Sequence, residues 1–353
     1  MKIIWKGNVF NPTGIATASR ELVKALVKLD TKVQCADVWH SGYDFNEGLS
    51  DLNKPIDAKD AMTIFADYPQ HWRDGYGKVV GFFLHEGTRL HAGWSDIMNT
   101  ADLMLVPSRA TFNLFRSNGV QGKMEIVPFG INPEFYFPKP TERDENYLFL
   151  SVNSWTGNIG DRKGTDILIK AFDEEFKEEE KVKLILKIGT FWQKLDSPEF
   201  YANAMFKILG HVNQNILINE TYVPEKELAT YFQQADCFVS PTHGESFGLT
   251  IINAMACGLP AIVTKDNNSG HMDFCRGKDS VLWIDVAKLE QADPRFFVQG
   301  NMQPVPDIES LKKQMRFAFE HRQEMLDKGL KNAEEIKNWT WENSAKKLLE
   351  AIK

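Results

Sequence analysis

The sequence predicts an α/β protein made of two domains, each a parallel sheet covered by helices. Three observations carry this. The chain has 353 residues, more than one domain of ordinary size needs. Short apolar runs alternate with amphipathic helical stretches, the pattern of strand–helix–strand units. The alternation breaks at 132–144, where Pro133, Pro138 and Pro140 precede the charged run Glu142-Arg143-Asp144, and then restarts.

In the first half, strands are expected at 2–5, 32–38, 62–65, 79–84, 103–106 and 124–127, with helices at 18–28 and 108–117. In the second half, strands are expected at 147–152, 182–188, 237–240 and 260–264. Helices fall at 165–176, 225–235 and 249–257, and an amphipathic terminal helix at 339–353. This gives two Rossmann-like domains, 1–140 and 141–335, with 336–353 packing back on the first.

Composition narrows the class. Hydrophobic residues make up 43% and charged residues 25%, an ordinary globular balance. The net charge of −7 argues against a protein whose whole surface is basic for nucleic acid. The longest apolar runs fall far short of the roughly 18 residues a membrane span needs, and the N-terminus does not read as a targeting segment. Cys35, Cys237, Cys257 and Cys275 form no paired spacing, so reduced thiols in a cytoplasmic protein are expected.

In open α/β sheets ligands bind where strands end, so the loops after strands hold the candidate residues. One runs from Ser240 through His243-Gly244-Glu245-Ser246-Phe247-Gly248 into a helix beginning Leu249-Thr250. Gly244 and Gly248 permit tight turns. The helix start offers N–H groups and a positive dipole end to a phosphate. Glu245, just before it, suits sugar hydroxyls. A second loop, 151–166, carries the adjacent cations Arg162 and Lys163, suited to the negative charge of a departing diphosphate. Ser154 at its start is placed with the donor-binding residues. A third is the turn from Asn11 to Ala18, where Gly14 allows close backbone approach. A fourth is His85-Glu86-Gly87-Thr88-Arg89, a polar cluster after an apolar strand. Asn267 to Phe274, with Gly270 and His271, fits the rim of the same pocket, and His271 is read as structural. Arg20, Lys24 and Lys28 recur every four residues on the first helix. They read as a solvated face, with a membrane-facing stripe as the alternative. Neither G-x-G-x-x-G nor a P-loop is present, which disfavours a dehydrogenase or P-loop NTPase.

The segment around Glu245, Phe247 and Gly248 resembles the donor-binding signature of glycosyltransferase family 4, a retaining family of the GT-B fold. The resemblance is closest over 148–274 and extends to 101–137. That signature carries two glutamates separated by seven residues; Glu245 matches the first, and Asn253 stands in the place of the second. Lys163 matches the family's Lys-Gly pair, and Arg162 its basic loop. The resemblance implies a GT-B protein, two Rossmann-like domains facing across a cleft. It implies transfer of a sugar from a nucleotide-diphosphate sugar with retention. Lys163, Arg162, Glu245 and His85 would be catalytic. Donor binding would use Gly14, Ser154, Arg162, Lys163, Glu245, Ser246, Phe247, Gly248, Leu249, Thr250 and Asn253. No metal and no cofactor are expected, since no Asp-x-Asp motif was found and the cations take a metal's part. The acceptor is left open among glycan, lipid, small molecule, protein and nucleic acid. Two rivals stand beside this reading: a GT-B-like phosphorylase or epimerase, and a non-catalytic homologue that binds nucleotide-sugar.

Overall fold

The computed structural model describes all residues except 12, 37–51, 53–54, 73, 141–144, 156–159, 190–197 and 295–296. Parts of the Asn11–Ala18 turn, the second strand, the interdomain linker and the Arg162 loop fall among these and lie outside the described residues.

The chain divides into two compact units. The first comprises Met1–Gly130, Asn268–Gly270 and Asn338–Lys353; the second comprises Ile131–Asn267 and His271–Lys337. In the first unit the order is β1 (Lys2–Gly7), α1 (Gly14–Lys28), β2 (Lys32–Ala36), β3 (Ala61–Ala66), β4 (Val79–Phe82), α2 (Trp94–Met98), β5 (Leu103–Val106), α3 (Arg109–Ser117) and β6 (Met124–Ile126). In the second it is β7 (Tyr147–Asn153), α4 (Thr165–Glu175), β8 (Val182–Ile188), α5 (Pro198–Leu209), β9 (Ile216–Asn219), α6 (Glu225–Gln234), β10 (Cys237–Ser240), α7 (Leu249–Ala256), β11 (Ala261–Thr264), α8 (Met272–Cys275), β12 (Val281–Ile284), β13 (Val286–Gln291), β14 (Met302–Pro306), α9 (Ile308–Glu320) and α10 (Arg322–Ile336). The last helix, α11 (Trp341–Ile352), belongs to the first unit and packs on α1.

Each unit holds a six-stranded parallel sheet, ordered β2-β1-β3-β4-β5-β6 in one and β12-β11-β10-β7-β8-β9 in the other. Strands such as β5, β10 and β11 are buried at every residue. That explains their unbroken apolar runs, since helices cover both faces of a parallel sheet. The helices begin where side chains can cap them: Thr13 accepts from Ala16 N, Ser108 from Thr111 N, Asp307 from Ser310 N and Thr340 from Asn343 N. The Thr13 cap starts α1 four residues ahead of the expected position.

The basic stripe on α1 does not form. Arg20 is buried, and its guanidinium donates to the carbonyls of Val9 and Asn11 at 2.8 and 2.5 Å, tying down the loop after β1. Lys24 pairs with Glu21 at 2.8 Å. Among the described residues, no helix is long and apolar enough to cross a membrane, and the four cysteines are buried and form no disulfide.

In the second sheet the strand order reverses between β7 and β10. Their carboxyl ends therefore flank the crevice where such sheets bind ligands. Asp236 fastens these two strands together. It is fully buried, its backbone N–H donates to the Leu148 carbonyl at 2.9 Å, and its Oδ2 accepts from Leu148 N at 2.8 Å. Arg322 of α10 grips both carboxylate oxygens at 2.9 Å. Removing the carboxylate would strand the Leu148 N–H and the guanidinium. Asp236→Ala should lower unfolding stability by about 3 kcal/mol, read as a shift of the urea midpoint. An unchanged midpoint would show that β7 and β10 do not depend on this clamp.

Candidate nucleotide-sugar site in the second unit

The loops after β7 and β10 meet at a close backbone contact. Gly164 has φ +66, and a Cβ there would stand 2.0 Å from the Pro241 carbonyl oxygen. Only glycine satisfies both conditions. On either side the loops are laced together. His243 N donates to the Arg162 carbonyl at 2.8 Å, and the Thr242 hydroxyl donates to the same carbonyl at 3.2 Å. Gly244 N in turn donates to the Thr242 hydroxyl at 3.1 Å.

This contact brings Arg162, Lys163 and Glu245 together across 82 residues of sequence. Lys163 Nζ lies 2.6 Å from Glu245 Oε1, and Arg162 Nη1 lies 3.8 Å from Oε2. Arg162 also donates to the Gly244 carbonyl at 2.7 Å. Burial by itself raises the Glu245 carboxyl. Lys163 and Arg162 outweigh it and hold the group below the usual carboxylate range, so it stays ionised. Arg162 and Lys163 thus set two cations around one carboxylate at the crevice.

The helix that follows adds to it. Gly248 precedes α7 with φ +95 and offers no side-chain cap, and Leu249 and Thr250 form the first turn. A Cβ on Gly248 would come within 3.1 Å of both His271 Cβ and Ile251 Cδ1. The N-terminal N–H groups of α7 thus head a helix just past Glu245, the geometry that favours an anion. Ser246 and Phe247 are buried between Glu245 and this helix start, and Asn253 is buried one turn into α7. Ser154 lies exposed just beyond β7.

Gly14 and His85 lie in the first unit. Gly14 is the first residue of α1, and a Cβ there would meet nothing within 4 Å, so this helix start is open. His85 is buried after β4, with Nε2 3.2 Å from the Arg89 carbonyl and its ring against Trp94 at 5.5 Å.

Sequence reasoning gave no part to several buried groups around the donor loop. Asp161 Oδ1 accepts from Lys163 N at 2.6 Å, while Oδ2 is shut from solvent. Asp166 accepts from Gly160 N at 2.7 Å, and its other oxygen is buried with no hydrogen-bond partner among the described residues. Burial, reinforced by Asp166, pushes the Asp161 carboxyl up to about 7. His243 is buried beside Asp166, and burial lowers its pKa. His271 is fully buried, donates from Nε2 to the Thr264 carbonyl at 2.8 Å, and is likewise lowered by burial. Each of these residues stands inside or beside a conspicuous motif, but its burial comes from packing that the motif does not spell out. Among the described residues, no group of three or more His, Cys, Asp or Glu side chains is placed to hold a metal ion.

Residues 133–292, a stretch containing Arg162, Lys163 and Glu245, match the family model of group 1 glycosyl transferases. A D-inositol 3-phosphate glycosyltransferase of Segniliparus rotundus is 34% identical over 147 residues, which is 40% of this chain and 32% of that protein. One from Xylanimonas cellulosilytica is 27% identical over 227 residues, 57% of this chain and 51% of that protein. The chain thus spans a third to a half of the length of these curated relatives. Among solved structures, sucrose-phosphate synthase from Thermosynechococcus elongatus matches 99% of this chain and 98% of its own, at 16% identity and TM-score 0.69. Anabaena HepE, solved with UDP and glucose, matches 100% of this chain and 99% of its own, at 13% identity and TM-score 0.71. The two α/β units are therefore of the GT-B glycosyltransferase fold.

Asp161 makes a pH prediction. The unfolded chain releases this proton near pH 4, whereas the folded protein holds it up to about 7. Folding stability therefore falls as pH rises through that window and stays reduced above it. Asp161→Asn keeps an oxygen for Lys163 N and removes the titration. The variant should melt higher than wild type at pH 8, with the gap closing toward pH 4. A gap that does not change with pH would refute the assignment.

Proposed function

We propose that this chain is a glycosyltransferase that moves a sugar from a nucleotide-diphosphate sugar to an acceptor, with retention and without a metal, in the manner of family 4. The observation that carries the reading is the convergence of Lys163, Arg162 and Glu245 beside the α7 N-terminus, at the strand-order reversal of the second sheet. The group 1 match over 133–292 supports it.

In this reading Arg162, Lys163 and the first turn of α7 bind the donor's diphosphate. As the glycosidic bond breaks, negative charge grows on the leaving diphosphate. Fixed cations and helix N–H groups stabilise that charge more than they stabilise the intact donor, which is what accelerates the reaction. Glu245, held ionised by its two cations, accepts hydrogen bonds from hydroxyls of the transferred sugar. Asn253 occupies the position from which the resembled family holds the ribose. An amide there both donates and accepts, but brings no charge. His85 and Gly14 enter the reading through the resemblance alone.

The test is a thermal-shift series with UDP-, GDP- and ADP-sugars in metal-free buffer, on wild type and Lys163→Ala. One donor class should raise the wild-type melting temperature, and the substitution should abolish the rise. With the responding donor, turnover by the variant should fall roughly 10²–10³-fold. If a donor binds but is neither transferred nor hydrolysed across many acceptors, the chain is a non-catalytic binder. If inorganic phosphate replaces the nucleotide in glycoside cleavage, it is a phosphorylase.

A further inference from the structure

Lys163 is held at its root as well as at its tip. Residues 161–164 form a single turn, closed by the Gly164 N–H donating to the Asp161 carbonyl at 3.0 Å. Asp161 also supplies an acceptor inside that turn, its Oδ1 taking the Lys163 N–H at 2.6 Å. A side-chain oxygen that takes the N–H two residues on holds a turn much as a backbone carbonyl does. Asp166, in the first turn of α4, takes the Gly160 N–H at 2.7 Å and so holds the residue before the turn. The loop after β10 grips the turn from outside, through the hydrogen bonds of His243 N and the Thr242 hydroxyl to the Arg162 carbonyl.

Asp161 serves here as an acceptor rather than as a surface charge. Its Oδ2 is shut from solvent, and burial pushes its carboxyl up to about 7. Protonation of that far oxygen leaves Oδ1 able to accept.

The consequence falls on Lys163. A lysine side chain is a point charge on a flexible four-carbon stem, so where its ammonium goes depends on where the stem starts. In this structure Glu245 holds the tip at 2.6 Å, and the Lys163 side chain is 19% exposed. An anion that draws the ammonium from Glu245 removes the restraint at the tip and leaves the one at the root. We propose that Asp161 is a positioning residue: by holding the Lys163 N–H it aims the Lys163 ammonium at Glu245 and, when a donor is bound, at its diphosphate. The diphosphate rests on the glycosyltransferase reading; the placing of Lys163 by Asp161 does not.

Asp161→Ala and Asp161→Asn remove the same charge, and the asparagine variant alone keeps an oxygen for the Lys163 N–H. The full chain of wild type and of each variant is pulse-labelled with acetic anhydride, and acetylation of Lys163 is read by peptide mass spectrometry. Lys187 on β8 is the control. It is buried in the same unit, its Nζ donates to the Thr221 carbonyl, and burial lowers its pKa to about 8, so general loosening would expose a reactive amine. Asp161→Ala should raise labelling of Lys163 about fivefold with Lys187 unchanged, and Asp161→Asn should stay within about twofold of wild type. With a donor that shifts the wild-type melting temperature, turnover by Asp161→Ala should fall roughly 10²-fold, and Asp161→Asn should recover most of it. Adding Asp161→Ala to Lys163→Ala should cost nothing more. Lys163 labelling that Asp161→Ala leaves unchanged overturns the proposal, as does a rise shared by Lys187 or matched by Asp161→Asn, or a further loss of turnover in the Lys163→Ala background. The expected labelling without any nucleotide shift in wild type removes the donor reading and leaves Asp161 as the residue that places Lys163. A nucleotide shift without the expected labelling does the reverse.

Discussion

The candidate donor site depends on one steric fact: the backbone at Gly164 lies against the Pro241 carbonyl closer than any side chain permits. A side chain at Gly164 would hold the loop after β7 away from the loop after β10. From that contact follow the hydrogen bonds of His243 N and Thr242 to the Arg162 carbonyl, and with them the reach of Lys163 to Glu245. Asp236 sets the strands in register below, and the glycine lets their loops close above.

Charge at this junction is balanced with little to spare. Arg162 and Lys163 face Glu245, while Asp161 and Asp166 lie beneath the same loop. Were every carboxylate ionised, the acids would outnumber the cations. Burial prevents this by holding the Asp161 proton toward neutrality. In a low-dielectric setting the protonation of one hidden acid thus bears on the charge around the half-buried Arg162 and Lys163.

Much of the architecture was legible in the sequence because parallel strands covered on both faces are mostly apolar. The strands at Leu103–Val106, Val182–Ile188 and Cys237–Ser240 fall where their apolar runs place them. Other elements left no such mark. β9 is four residues with an exposed Leu217, and β13 and β14 pair as a hairpin with little burial on β13 and two prolines in β14. Their formation rests on neighbours distant in sequence. Arg20 shows the converse: its helical spacing with Lys24 and Lys28 suggested a solvated face, and the carbonyls of Val9 and Asn11 drew it inside.

The sequence by itself determined the strand–loop–helix units and named the residues at their ends: Arg162 and Lys163 in one loop, Glu245, Phe247 and Gly248 in another. Those are local properties, set by apolar periodicity, turn glycines and the chemistry of single side chains. The tertiary structure alone decided that these two loops touch, that Glu245 is clamped by both cations, and that Asp161, Asp166 and His243 are sealed beneath them. Contact across the sheet and exclusion of water are properties of packing, and residues 82 positions apart carry no local sign of either.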